Sequence, residues 1–171
     1  MTGVRTVQVD PAVDLDRHVY GERGAPVTLV EYGDFQCPYC RAAAPVLKEL
    51  VDGSGGRVRL VFRHFPLFTV HPFALTAALA AEAAGDRFWQ LHDLLFAHQD
   101  RLTDADLTVY ADSAGVTGVV GVPAQAFRPA VEADYRAGVV AGVCGTPTLF
   151  LDGEPYHGRL ELAALREAVG P

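Results

Sequence analysis

Cys37 and Cys40, three residues apart in "GDFQCPYCRAAAP", are the residues of this chain whose type and spacing can do chemistry. A thiolate is both a nucleophile and a metal ligand, and two thiols at this spacing can also close a small disulfide ring. Three chemistries are open: a metal centre, a structural staple and a redox couple. A tetrahedral zinc site needs two further ligands. Cys144 and one of the six histidines could supply them, but no second C-x-x-C is present, and the metal reading is set aside. A staple across so short a loop removes little chain entropy and stabilises little. Three cysteines are too few for a disulfide scaffold, and an odd count suits reactive thiols better than staples.

The redox reading gains from the segment after the pair. "PYCRAAAPVLKELVDG" reads as a helix with Pro38 in its first turn and Gly53 closing it. Cys37 then stands just before a helix and Cys40 within its first turn. Free backbone N–H groups and the positive end of the helix dipole stabilise an anion there. A Cys37 thiolate is therefore expected to titrate well below the usual value of about 8.5, toward about 3.5–7.5. Cys37 becomes the exposed nucleophile and Cys40 the thiol that resolves a mixed disulfide.

Several elements must hold that helix. "APVTLVEYGD" (25–34) reads as a buried strand before it, and the alternating "GRVRLVFRHFP" (56–66) as a second strand after it. Strand, helix, strand over this length is a βαβ unit with parallel pairing. Pro45 lies inside the helix and should kink it. The middle of the chain is helical. One helix is expected in "HPFALTAALAAEAAG", opening at Pro72, and another in "DRFWQLHDLLFAHQ". A third opens at a capping box of Thr103 and Asp106. A fourth spans 123–142, weakened by Gly138 and Gly142. "TPTLFLDGEPYHG" reads as a hairpin turning at Asp152-Gly153, and "RLELAALREAVG" as an amphipathic terminal helix.

Of the 171 residues half are apolar and a fifth charged, which is globular composition. The net charge of −7, with scattered cations, excludes a nucleic-acid partner. No apolar segment is long enough to insert in a membrane. The first twenty residues carry Asp10, Asp14 and Asp16 rather than an apolar run, so a secretory signal is not expected. A cytoplasmic location is expected for the chain as it stands, and an extracytoplasmic one if a signal was removed.

Taken together, these motifs resemble the thioredoxin superfamily and, within it, the DsbA-like branch. The strand "VTLVEY" precedes the C-x-x-C helix, Glu31 lies six before Cys37, Pro45 lies five after Cys40, and "GTPT" (145–148) precedes "LFLDG". Residues 25–169 carry the likeness, which extends to the thioredoxin-like domain fused to some NhaA-type antiporters. The resemblance implies an α/β thioredoxin fold, a central mixed sheet with flanking helices, built from 1–66 and 143–171. An α-helical domain, 67–142, is inserted into it. It implies a cis Pro147 facing the pair, a substrate groove lined by Pro38, Tyr39, Thr146 and Pro147, and a buried Glu31 that relays the Cys40 proton. The implied activity is thiol–disulfide oxidoreduction on protein or small thiol substrates, completed by an unidentified redox partner and needing no cofactor. A glutathione-linked transferase or isomerase, or a non-catalytic redox-sensing or binding module, are the alternatives. Two features depart from the branch. The central dipeptide is Pro-Tyr, and Tyr39 should stabilise the thiolate less than the His of strongly oxidising members. Cys144 adds a third sulfur, either a small buried hydrophobe or a further redox thiol.

Overall fold

The computed structural model describes residues 14–171, so the first thirteen residues of the expected thioredoxin portion, Asp10 among them, lie outside the described residues. Five strands form one mixed sheet in the order β1 (Val19–Tyr20), β3 (Val58–His64), β2 (Val27–Gly33), β4 (Thr148–Leu151) and β5 (Glu154–Tyr156). The expected βαβ unit is present: β2 and β3 pair in parallel, with Val27 opposite Val58 and Gly33 opposite His64, joined by α1 (Pro38–Asp52). β4 and β5 form the expected hairpin, and both turn residues adopt positive φ, 48° at Asp152 and 89° at Gly153. The two-residue β1, antiparallel to β3, was not foreseen, because it is too short to show alternation.

The alternation of β2 decides what each face meets. Leu29 joins Leu47, Leu50 and Val51 of α1, with Leu165 of α7 (Leu162–Val169), in the core on one side. Val30 and Tyr32 point to the other side and pack with Phe65, Ala141 and Val143 near the end of α6 (Arg128–Val140). The sheet is thus covered on both faces. Between β3 and β4 run α2 (Ala74–Ala83), α3 (Phe88–Ala97), α4 (Asp104–Ala114), α5 (Gly121–Ala124) and α6. The capping box of Thr103 and Asp106 opens α4, with the Asp106 N–H donating to the Thr103 side chain.

Two helix boundaries differ from expectation. α2 opens at Ala74, because the residues around Pro72 are held elsewhere: His71 binds Asp34 and the Phe73 N–H donates to Gln36. The expected helix over 123–142 is divided by a 3-10 turn at Gln125–Phe127, after which Pro129 occupies the first turn of α6. Gly138 does not weaken α6. A Cβ there would lie 2.7 Å from the Phe65 ring and 3.0 Å from Tyr32, so glycine lets the helix approach the sheet.

Candidate active site

Cys37 is the N-cap of α1, in extended conformation, with its own N–H donating to Asp34 O at 3.1 Å. Pro38 fills the next position without an N–H to satisfy. The Cys37 and Cys40 thiols are both free. Cys37 Sγ donates to the carbonyl oxygen of Thr146 at 3.4 Å, and Cys40 Sγ accepts the Asp34 N–H at 3.5 Å. The Cys37 pKa falls to about 5. A hydrogen bond from Cys40 is the main cause, aided by Thr146 and the backbone N–H groups of Cys40 and Tyr39, against the opposing effect of burial. This is the depression expected of a helix N-terminus. Burial pushes the Cys40 thiol well up, and its bond to Cys37 and the nearby Glu31 add to that. The two sulfurs are thereby made chemically unequal.

Contrary to the expectation of an exposed nucleophile, Cys37 retains only 3 % of its surface. It belongs to the same apolar cluster as Phe35, Phe62 and Phe88, and the helices between β3 and β4 complete that cover. Glu31 is fully buried on β2, opposite Phe62 and Leu149, on the face that carries Leu29 toward α1. Neither carboxylate oxygen has a hydrogen-bond partner. Burial, with a smaller effect from the Cys37 charge, raises its pKa to about 8. Pro147 follows a cis peptide bond, as the resemblance implied. Tyr39 is 73 % exposed beside the pair. Cys144 is exposed, which removes the buried-hydrophobe reading of that residue.

Three residues absent from the sequence reading, Asp34, Gln36 and Gln99, position this loop. Asp34 is buried: its Oδ1 accepts the Gln36 N–H at 2.7 Å, and its Oδ2 accepts the Leu67 N–H at 2.9 Å and lies 2.7 Å from His71 Nδ1. Gln36 Oε1 accepts the Phe73 N–H, and Gln99 Nε2 donates to the carbonyls of Phe35 and Cys37 at 2.9 and 2.8 Å. These bonds tie "DFQC" to segments more than thirty residues away. Polar residues flanking the cysteines were the available signal, but their partners could not be read from it.

Fold and site together define a thioredoxin fold that holds a C-x-x-C pair of unequal thiols at the N-terminus of α1. The chain belongs to the thioredoxin family, whose model, described as Thioredoxin, matches residues 14–170. It is 46 % identical over 175 residues to the Na(+)/H(+) antiporter NhaA 1 of Salinispora arenicola and 38 % over 168 residues to NhaA 1 of Mycolicibacterium gilvum. Those matches cover 95 % and 94 % of this chain but 25 % and 27 % of the relatives, so the chain spans about a quarter of their length. Among solved structures it is similar to a thioredoxin-like oxidoreductase from Silicibacter pomeroyi, at 27 % identity, 91 % coverage of each chain and a TM-score of 0.77. Oxidised BdbD from Bacillus subtilis shares the fold at 24 % identity, 96 % coverage of each chain and a TM-score of 0.78. Among the described residues no helix is long and apolar enough to cross a membrane.

Proposed function

We propose that the chain exchanges disulfides with protein or small thiol substrates through Cys37 and Cys40. The observation that carries this reading is the inequality of the two thiols, one lowered to about 5 and its neighbour raised. In the reducing direction, the Cys37 thiolate attacks a substrate disulfide, forms a mixed disulfide and releases one substrate thiolate. Cys40 passes its proton to the ionised fraction of Glu31, the minor form below about pH 8, and attacks Cys37 Sγ. The Cys37–Cys40 disulfide forms, and the second substrate sulfur leaves as a thiolate that takes up a proton. The protein is oxidised by two electrons and the substrate reduced by two. The reverse sequence oxidises substrate dithiols, and a separate redox partner resets the pair in either direction.

An extended substrate segment hydrogen-bonds the backbone at Thr146 beside Cys37, with Pro38, Pro147 and the exposed Tyr39 lining its path. The division into 1–66 with 143–171, and an inserted 67–142, assigns the Cys pair to the first unit and the Gln99 clamp to the second. Cys144 serves as an accessory thiol. In a Cys40→Ser variant it attacks the Cys37 mixed disulfide in place of Cys40, so peptide mapping finds a Cys37–Cys144 link; persistence of the mixed disulfide alone removes Cys144 from the scheme. The main test pairs insulin reduction with oxidative refolding of a reduced protein, for wild type and Cys37→Ser. Activity in at least one assay that Cys37→Ser abolishes is expected, and inactivity of the wild type in both would overturn the proposal.

A further inference from the structure

A second cluster of chemically capable side chains lies away from the thiols, where the segment before β1, the end of β3 and α2 meet. His18 Nε2 and His64 Nε2 lie 2.7 and 3.0 Å from one and the same oxygen, Glu82 Oε2. All three ligand-type atoms fall within 4.8 Å of one another. Their side chains keep only 6, 1 and 8 % of their surfaces. We propose that His18, His64 and Glu82 form a binding site for a divalent transition metal of the zinc class, separate from the redox pair.

The donor set is the first argument. Two imidazoles and one carboxylate suit Zn²⁺ and its neighbours rather than Mg²⁺ or Ca²⁺, which take oxygen ligands. In a tetrahedral site with bonds of about 2.0–2.1 Å, ligand atoms stand about 3.3 Å apart. The observed separations around Glu82 therefore need to open by only about 0.3–0.6 Å.

The surroundings are the second. Arg17 Nη1 holds the other carboxylate oxygen, Glu82 Oε1, at 2.6 Å, and so orients the group while leaving Oε2 to the imidazoles. The His18 ring is stacked on Phe88, with centroids 3.7 Å apart and planes at 15°.

His18 itself has φ of +55°, a left-handed backbone that is uncommon outside glycine. That conformation turns the chain so that the side chain enters the cluster while its carbonyl still accepts the Phe62 N–H. A cleft of about 550 Å³, lined by His18, Glu82, Arg17, Asp14, Asp16 and Trp89, gives an ion an entry path and room for a water as fourth ligand. A bound ion would join the chain before β1 to the end of β3 and to α2.

The test uses untagged protein with Cys37 and Cys40 oxidised and Cys144 alkylated, so that no thiol competes for metal. After treatment with a chelator, calorimetric titration with Zn²⁺ should give one equivalent bound, and excess Zn²⁺ should raise the melting temperature. Co²⁺ should give the visible d–d bands of a tetrahedral nitrogen–oxygen site. His18→Asn, which keeps a residue tolerant of positive φ, and Glu82→Gln should each weaken binding at least tenfold. The proposal is overturned if the folded wild type binds neither ion, or if both variants bind as tightly as the wild type.

Discussion

The Cys37 thiol donates to the carbonyl oxygen of Thr146 at 3.4 Å, across 109 residues of chain. The nucleophile and the backbone on which a substrate can pair are therefore held together before any substrate arrives. The Thr146 hydroxyl oxygen is buried without a hydrogen-bond partner, which leaves it free to donate to a Cys37 thiolate, and Thr146 helps to hold the Cys37 pKa down. Thr146→Val keeps the shape and the carbonyl but removes that hydroxyl. A hydrogen bond to a charged group contributes about 1.5 kcal/mol, and a pKa unit is about 1.4 kcal/mol, so Cys37 should titrate about one unit higher. In the wild type, the iodoacetamide rate at Cys37 should fall as pH drops through about 5. In the variant the same fall should come at higher pH.

Glu31 carries the opposite sign. Its folded pKa, about 8, lies above the ordinary value of 4.5, so the fold favours the protonated carboxyl. Below pH 4.5 the group is neutral in both folded and unfolded chains and has no cost. As pH rises from 4.5 through 8, the unfolded chain ionises first and stability is lost. Glu31→Gln mimics the neutral acid permanently. Denaturant unfolding should find wild type and variant alike at pH 4, and the variant more stable at pH 7 by a figure on the order of 3 kcal/mol. The same variant should resolve Cys37 mixed disulfides more slowly at pH 7, since it lacks the ionised fraction of Glu31 that takes the Cys40 proton. Equal stability at both pH values would mean that the buried carboxyl does not titrate differently from an exposed one.

Gly138 tests the packing that closes the second face of the sheet. A Cβ at this position meets Phe65 at 2.7 Å and Tyr32 at 3.0 Å, and both rings are buried. Alanine favours a helix by about 1 kcal/mol over glycine. Forcing a methyl group into a packed interior costs about 1–3 kcal/mol, and the rings here have little room to give. Gly138→Ala should therefore be destabilising despite its better helix propensity, by about 1 kcal/mol, with a melting temperature a few degrees lower. A stabilised variant would mean that α6 shifts freely on the sheet.

What could be read beforehand followed the range of the signal. The βαβ unit, the C-x-x-C helix, the capping box at Thr103 and the Asp152-Gly153 turn are each encoded within a few residues, and each is present. Strand β1 carries two residues and its pairing depends wholly on β3. The start of α2 is set by Asp34 and Gln36, nearly forty residues earlier, and Gln99 reaches back more than sixty to the carbonyl of Cys37. Cys37 and Cys40 announce themselves by spacing. The burial of Cys37 and the convergence of His18, His64 and Glu82 do not, because they arise from contacts between segments that propensity and periodicity treat separately.

Tyr39 sits between the two cysteines and is 73 % exposed, so its hydroxyl reaches solvent and brings no charge to the Cys37 sulfur. A thiolate more strongly held in the reduced form makes the couple more oxidising, since its stabilisation lowers the energy of the dithiol state. The Cys37 thiolate here has helix N–H groups, Cys40 and Thr146 to support it, and no cation among the leading influences from the described residues. The couple should therefore be less oxidising than the strongest thiol oxidants, whose potential is near −120 mV, when equilibrated with glutathione. Tyr39→His places an ionisable imidazole at the same exposed position, where its protonated form faces the thiolate. The potential should move upward, and a shift of about 30 mV would correspond to about 1.4 kcal/mol of added stabilisation of the dithiol form. Because the effect needs the imidazolium, it should shrink as pH rises above about 6.5. A wild-type potential already near −120 mV, or a Tyr39→His shift that persists unchanged at pH 9, would show that the central residue does not act through charge.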